Sequence, residues 1–337
     1  MSIATLLKAA AQERVLLDFP VQIQTTREKE TKNGKPFLEW QVADATGSFS
    51  LKIWENHSQF QACSTKKAED CLLLSGSWSL GSYGLESSDW HFSELSEKDL
   101  RSFFSGDEAL QEKQANDFAH LERLLATVRD PRLAALNALF LQQYGDRFQR
   151  SAAARKNHHA RRGGLVEHVA TMMRLAESIL PVYPHLNSDL LYSAILFHDC
   201  GKLWENSYPE QGFSQLPNLA GEMLGHIPLG IELVNKLWRD LNLSPYEEMS
   251  PSSDLVRLHL LHLIASHHGQ YDFGSPTLPR TAEAHALHYL DNLDAKMEMV
   301  SQAYATAPEI APGVQERQFP LPANLVAPLP KVTTETA

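Results

Sequence analysis

Two periodicities divide this chain. Up to about residue 100, apolar and polar residues tend to alternate, as in strands with one buried face. Val15 to Thr26 alternates in places, and Asn33-Gly34 is a hairpin signal between two candidate strands. The second of these, Phe37-Leu38-Glu39-Trp40-Gln41-Val42, puts Leu38, Trp40 and Val42 on one face. After the Asp44-Ala45-Thr46-Gly47 turn, Phe49, Leu51 and Ile53 share one face, while Lys52 and Trp54 share the other. A further strand from Cys71 to Trp78 leads through Gly81 and Gly84 to Trp90-His91-Phe92. Several short strands punctuated by turns predict a small barrel.

From about residue 107 the apolar spacing becomes helical. Leu121, Leu124, Leu125 and Val128 form one stripe, and Asp130-Pro131 is a cap and first-turn signature for the next helix. A later run, Leu190, Leu191, Ala194 and Ile195, suits the buried face of a helix and then meets His198-Asp199 where that face should stay apolar. Burying such a pair without partners costs several kcal/mol. A hydrogen-bonded helix feature would answer this, and so would a metal, since imidazole and carboxylate both ligate divalent ions. From Ala307 to Pro330 prolines punctuate an apolar stretch, predicting an extended tail on another surface of the protein or on a neighbouring subunit, with a disordered last seven residues.

Composition narrows the function classes. The 337 residues are 43% hydrophobic and 21% charged, ordinary for a globular protein and long enough for about two domains. The net charge of −11 gives no global positive field, so a polyanion would have to meet a local basic patch or bound metal. Cys63, Cys71 and Cys200 form no CxxC pair, which argues against a disulfide framework or cysteine zinc site and fits a reducing cytoplasm. No signal-peptide core and no membrane-length apolar run is evident. Arg147 to Arg162 holds six Arg or Lys and no acid, which reads either as a solvated face or as a phosphate grip.

The N-terminal segment resembles an OB-fold of the nucleic-acid-binding kind, on the Lys32–Phe37 hairpin and the Asp44–Gly47 turn before a strand ending in Trp54. Such barrels stack bases on exposed aromatics beside basic residues, which makes Trp54, Phe37, Lys35 and Lys52 candidates, whereas Trp40 reads as core.

Twelve of the fifteen histidines fall between residues 158 and 288. Each alone reads as a core or surface residue. Their order does not: His168 near a helix start opened by Gly163-Gly164, then His198-Asp199, His226, His267 and Asp291. This series, with Gly201-Lys202 after the His-Asp pair, is similar to the HD-domain metal-dependent phosphohydrolases. Together with Asn157-His158-His159, Ser266-His267-His268-Gly269 and the run His288 to Lys296, it resembles the YhaM-type 3′–5′ exoribonucleases, which join an OB-fold to an HD domain.

The resemblance implies an OB-fold over 12–100 and an all-α HD domain over 151–305, and the residues themselves read as a helical connector over 101–150 and a proline-rich tail over 306–337. It makes His168, His198, Asp199 and Asp291 ligands of one metal, with Asp199 bridging to a second held by His226 and His267. His268 and His159 are additional candidates, Asp294 a hydrogen-bond acceptor for a ligand histidine, and Cys200 a small buried residue. Two ions about 3.5–4 Å apart activate water toward a phosphodiester. Lys202 and a strip of Arg155, Lys156, Arg161 and Arg162 would add positive charge around the phosphate. The imidazole-rich set favours Mn²⁺, Fe²⁺, Co²⁺ or Ni²⁺ over Mg²⁺, with Mn²⁺ expected from the family. The implied substrate is single-stranded RNA, with single-stranded DNA as a second option, and the expected setting is the cytoplasm, with a homo-oligomer as one assembly and no membrane partner. A phosphodiesterase of small nucleotides and a non-catalytic single-strand binder are the competing readings.

Overall fold

The computed structural model describes residues 2–10, 13–31, 33–81, 84–87, 89–106, 108–155, 159–213 and 217–330. Lys32, Lys156, Asn157, His158 and the last seven residues lie outside these. The chain forms two compact units: Met1–Asn116 with Tyr208–Leu216, and Asp117–Ser207 with Pro217–Ala337. The span 101–150, expected as one connector, therefore divides between the two.

The first unit is the expected barrel. Its long first strand, β1 (Val15–Glu30), serves two partners. Val15 to Gln22 pair antiparallel with β4 (Cys71–Gly81), and Gln22 to Glu30 pair with β2 (Pro36–Asp44). A register shift between Ile23 and Thr25 lets one strand turn that corner. β3 (Gly47–Trp54) continues from β2, and β5 (Gly84–Glu86) and β6 (His91–Glu94) both pair with β4. The order β3-β2-β1-β4-β5 makes a nearly closed antiparallel sheet. Gly34 adopts φ +73°, the left-handed backbone that the Asn33-Gly34 turn needs. Asp44 Oδ1 accepts from the Thr46 and Gly47 amides at 2.7 and 3.0 Å, fixing the next turn.

The strand alternation sends Trp40, Leu51 and Ile53 inward onto Phe19 and Trp78, whose rings meet edge-on at 5.2 Å. Helix α1 (Ile3–Ala10), not anticipated from the sequence, joins this core through fully buried Ile3 and Leu6. α2 (Phe60–Ser64) crosses between β3 and β4, and α3 (Glu97–Ser105) follows β6 with Ser96 as its cap. Phe103 and Phe104 of α3 pack on Phe213 in a separate small cluster.

The second unit is helical, as expected. After α4 (Glu108–Leu125), α5 (Pro131–Arg150) starts at the predicted Asp130 cap, whose carboxylate accepts from the Arg132 and Leu133 amides. α6 (Gly164–Ile179) and α7 (Ser188–Phe197) bury Val169, Met172, Leu191 and Phe197 against Leu136 and Phe140 of α5. Short α8 (Lys202–Glu205) and α9 (Leu219–Leu224) precede α10 (His226–Asp240), α11 (Ser253–Ser266) and the 25-residue α12 (Ala282–Thr306). No helix among the described residues is long and apolar enough to cross a membrane. The tail differs from the extended strip expected of it. β7 (Glu309–Ala311), β8 (Val314–Gln315) and β9 (Leu325–Val326) form a three-stranded sheet, and the Tyr304 hydroxyl of α12 donates to the Val326 carbonyl at 2.8 Å.

Candidate metal centre

Five segments of the second unit bring the histidine and aspartate series together. His168 lies in the second turn of α6, His198-Asp199 at the end of α7, His226 at the start of α10, His267-His268 just past α11, and Asp291 within α12. His168, His198 and His267 are fully buried, and Asp199 is 2% exposed. Burial on this scale demands partners, and the imidazoles share one solution.

Each ring has its Nδ1 against a group that can only accept. His198 Nδ1 faces the Ile195 carbonyl at 2.8 Å, and His267 Nδ1 the Ile264 carbonyl at 2.7 Å. Both carbonyls belong to last turns, whose oxygens lack helical partners. His168 Nδ1 lies 2.6 Å from Asp294 Oδ2, His226 Nδ1 3.2 Å from Glu205 Oε2, and His268 Nδ1 2.5 Å from the Phe273 carbonyl. The proton must therefore sit on Nδ1 in each neutral ring, leaving Nε2 as a lone pair. Metal-binding histidines are oriented in this manner.

The Nε2 atoms gather around the two oxygens of Asp199. On the Oδ2 side, His198 Nε2 is at 3.3 Å and His168 Nε2 at 3.8 Å; His168 Nε2 is also 3.3 Å from His198 Nε2 and from Asp291 Oδ1. On the Oδ1 side, His226 Nε2 is at 3.5 Å and His267 Nε2 at 3.6 Å. His268 joins this second half, its ring centroid 4.3 Å from that of His267 and 5.1 Å from that of His226. Lone pairs of this kind repel unless a cation lies between them. Asp199 Oδ1, His226 Nε2 and His267 Nε2 are buried without a hydrogen-bond partner, at a cost of about 1–3 kcal/mol each. Donors bonded to one ion at about 2.1 Å lie roughly 3.0–3.4 Å apart, close to the separations here. The residues fit divalent metal.

Charge around the cavity agrees. Burial opposes ionisation of Asp199, yet Lys202, whose Nζ is 2.6 Å from Oδ2, and the neighbouring imidazoles hold its carboxyl well below the usual range. His168 differs: burial opposes its charged form, but Asp291 and Asp294 together outweigh it and push the ring up to about 9, so a metal ion would have to displace a proton from its Nε2. His267 is the reverse case: burial keeps its ring neutral, ready to ligate.

Close backbone packing makes this approach feasible. A Cβ on Gly201 would lie 1.9 Å from the His226 carbonyl oxygen, so the Gly of the His-Asp-Cys-Gly-Lys run lets α8 touch the start of α10. Cys200 beside it is fully buried, as anticipated.

Other candidates fall elsewhere. His159 does not face Asp199; its Nε2 lies 3.0 Å from Asp294 Oδ2, behind His168. In the basic strip, Arg155 and Arg161 meet carboxylates. Arg161 donates to Glu167 at 3.0 and 2.5 Å and to Glu298 at 3.1 Å, and Arg155 pairs with Glu222. Arg162 is half-buried. Glu205, which orients His226, carries no signal in the sequence, being 21 residues away from it in an acid-rich chain. In the barrel, Trp54 is 48% exposed and Lys35 and Lys52 are exposed, while Phe37 is half-buried with its ring 5.0 Å from that of Trp54. Lys52 and Trp54 also line a groove of about 420 Å³ with Arg14, Ser50, Ser77 and Ser79.

A helical unit with a His, His-Asp, His, His, Asp cavity is that of an HD-domain protein, and the HD domain family matches residues 165–296. Two curated proteins align over nearly the whole chain. The 3′-5′ exoribonuclease YhaM of Geobacillus sp. (strain WCH70) is 31% identical over 295 residues, 85% of this chain and 84% of the relative. That of Oceanobacillus iheyensis is 31% identical over 292 residues, 86% of each. This chain belongs to the YhaM family.

Proposed function

We propose that this chain is a metal-dependent 3′–5′ exoribonuclease of the cytoplasm that hydrolyses single-stranded RNA, and single-stranded DNA where it is offered. The observation that carries the reading is the division of donors between the two oxygens of Asp199: His168, His198 and Asp291 on one side, His226 and His267 on the other. In this reading His168, His198 and Asp291 would hold one divalent ion and His226, His267 and His268 another, with Asp199 a donor available to either. Bound ions supply the charge that draws the pKa of water toward neutrality and offsets the phosphate oxygens. The imidazole-rich donors favour Mn²⁺, or Fe²⁺, Co²⁺ and Ni²⁺, over Mg²⁺.

The chain's own groups do the rest. Asp294, the Ile195 and Ile264 carbonyls and Glu205 keep the Nε2 lone pairs aimed inward. Lys202 holds a fixed ammonium beside the carboxylate where an anionic phosphate would arrive. Residues 12–100 deliver the strand: Trp54 and Phe37 offer ring faces to bases, and Lys35 and Lys52 offer charge to phosphates. Residues 151–305 cut it. Among the arginines, Arg155 would reach phosphate by exchanging Glu222 for it, with Lys156 next to it in the chain and Arg162 seven residues on.

Labelled single-stranded RNA incubated with Mn²⁺ tests this. Stepwise shortening from the 3′ end with release of mononucleotides is expected. Cleavage of dinucleotides alone would make the protein a small-nucleotide phosphodiesterase, and binding without cleavage a strand-binding protein. Asp199→Ala should lower turnover by about 10³-fold, roughly 4 kcal/mol of barrier, with RNA affinity retained. Equal turnover would remove Asp199 from the chemistry.

A further inference from the structure

The segment before α6 has a role that neither the phosphate grip nor the ligand set accounts for. His159 is 5% exposed and adopts φ +45°, a left-handed backbone uncommon for a side chain of its size. Its carbonyl accepts from the Ala153 amide at 3.2 Å and lies so close to α6 that a Cβ on Gly164 would come within 2.0 Å of it. Held in this way, the ring donates to Asp294 Oδ2 at 3.0 Å, the same oxygen that receives His168 Nδ1 at 2.6 Å. Two residues on, Arg161 joins Glu167 of α6 to Glu298 of α12. Asp291, Asp294 and Glu298 follow one another at three- and four-residue steps, and so share a face of α12.

We infer that residues 159–161 are a staple that sets α12 against α6, with His159 and Arg161 as positioning residues for the metal half formed by His168 and Asp291. The inference rests on the metal reading above. His168 and Asp291 come from these two helices, and their donors must meet within 3.3 Å. His159 fixes Asp294 from behind, so that His168 cannot rotate. Arg161 fixes the helix pair one turn further along. The buried carboxylate Glu167 is satisfied by the same arginine. The half built from His226, His267 and His268 receives no bond from this segment among those described, so the staple acts on one ion of the two.

The test is Mn²⁺ titration of the full-length chain by calorimetry and by electron paramagnetic resonance, on wild type, His159→Ala, His159→Gln and Arg161→Ala. In His159→Ala and Arg161→Ala one of two Mn²⁺ affinities should weaken by about 10–100-fold, the usual effect of removing a group that orients a metal ligand, while the other stays put. RNA turnover in these variants should climb back toward wild type as Mn²⁺ is raised. His159→Gln, which can still donate to Asp294, should recover most of the lost affinity. Unchanged affinity at both positions, or equal weakening of both, would overturn the staple. If wild type binds no Mn²⁺, Co²⁺ or Ni²⁺ at all, the metal reading itself fails, a result that the variants cannot mimic. A folding defect in Arg161→Ala would show in circular dichroism and leave the His159 pair to decide.

Discussion

At the scale of single residues, the lesson is how much of the centre is held by groups that carry no chemistry. Gly201 shows it best. The position has an ordinary backbone, and what it needs is space, since a methyl group would overlap the His226 carbonyl. Gly201→Ala should destabilise the helical unit by about 1–3 kcal/mol and push the start of α10 outward, loosening the His226 and His267 half. Urea unfolding together with Co²⁺ titration would register both effects, and a silent substitution would contradict them. The order along the chain picks out the residues that meet around Asp199. Their Nδ1 acceptors are less legible. Asp294 could be guessed from its three-residue spacing to Asp291, but Glu205 and the two carbonyls emerge only when helices end against one another. The partners of Arg161 are hidden for the same reason: a basic run names the charges and not the carboxylates that tertiary structure brings to them.

At the scale of elements, α5 and the barrel strands behave as their local sequence dictates. Asp130 is both the cap of α5 and the counter-charge of Arg132, which is fully buried and otherwise bonded to the Pro251 carbonyl. Burial opposes its ionisation, but the Arg132 guanidinium and the two helix amides hold the carboxyl below its ordinary 3.8. A depressed pKa stabilises the fold fully above the unfolded value, and the benefit is lost as pH falls through the folded one. Stability should therefore drop in strong acid, below about pH 3.8. Asp130→Ala should cost roughly 3–5 kcal/mol at neutral pH by leaving a buried cation short of partners. Urea melts across an acid series compare the two, and an identical acid limb in both proteins would exclude Asp130 as the cause.

In β3 the strict alternation made Trp54 an outward residue, and its 48% exposure agrees. Trp54→Ala should raise the KM for long RNA by about 5–100-fold, the worth of one stacked base, and leave dinucleotide cleavage alone. Equal effects on both would tie it to the barrel's integrity instead. By contrast, α1 is not legible because eight residues carry little pattern, and the tail sheet because strands of two or three residues carry none.

For the whole molecule, metal bears on stability as well as activity. Ions present at about 100 times their dissociation constant add roughly 2.7 kcal/mol to the folded state. Chelation with EDTA should then lower the melting temperature of the helical unit by about 5–11 °C and spare the barrel. Scanning calorimetry with and without EDTA checks this, and an unmoved helical transition would argue that the cavity holds no ion. The broad plan, a barrel followed by a helical hydrolase unit, was visible in the change of hydrophobic period. The detour of residues 208–216 was not, because nothing local distinguishes that loop from its neighbours.

That detour governs how the chain can be dissected. The barrel unit is discontinuous, and nine of its residues are threaded between Glu205 and His226, far along the sequence from the rest. A fragment stopped at Asn116 would lack Phe213, stripping Phe103 and Phe104 of their shared aromatic neighbour. The complementary fragment would carry Phe213 with no rings to receive it. Neither unit is therefore the product of a single cut, and a fragment boundary must respect both crossings of the chain.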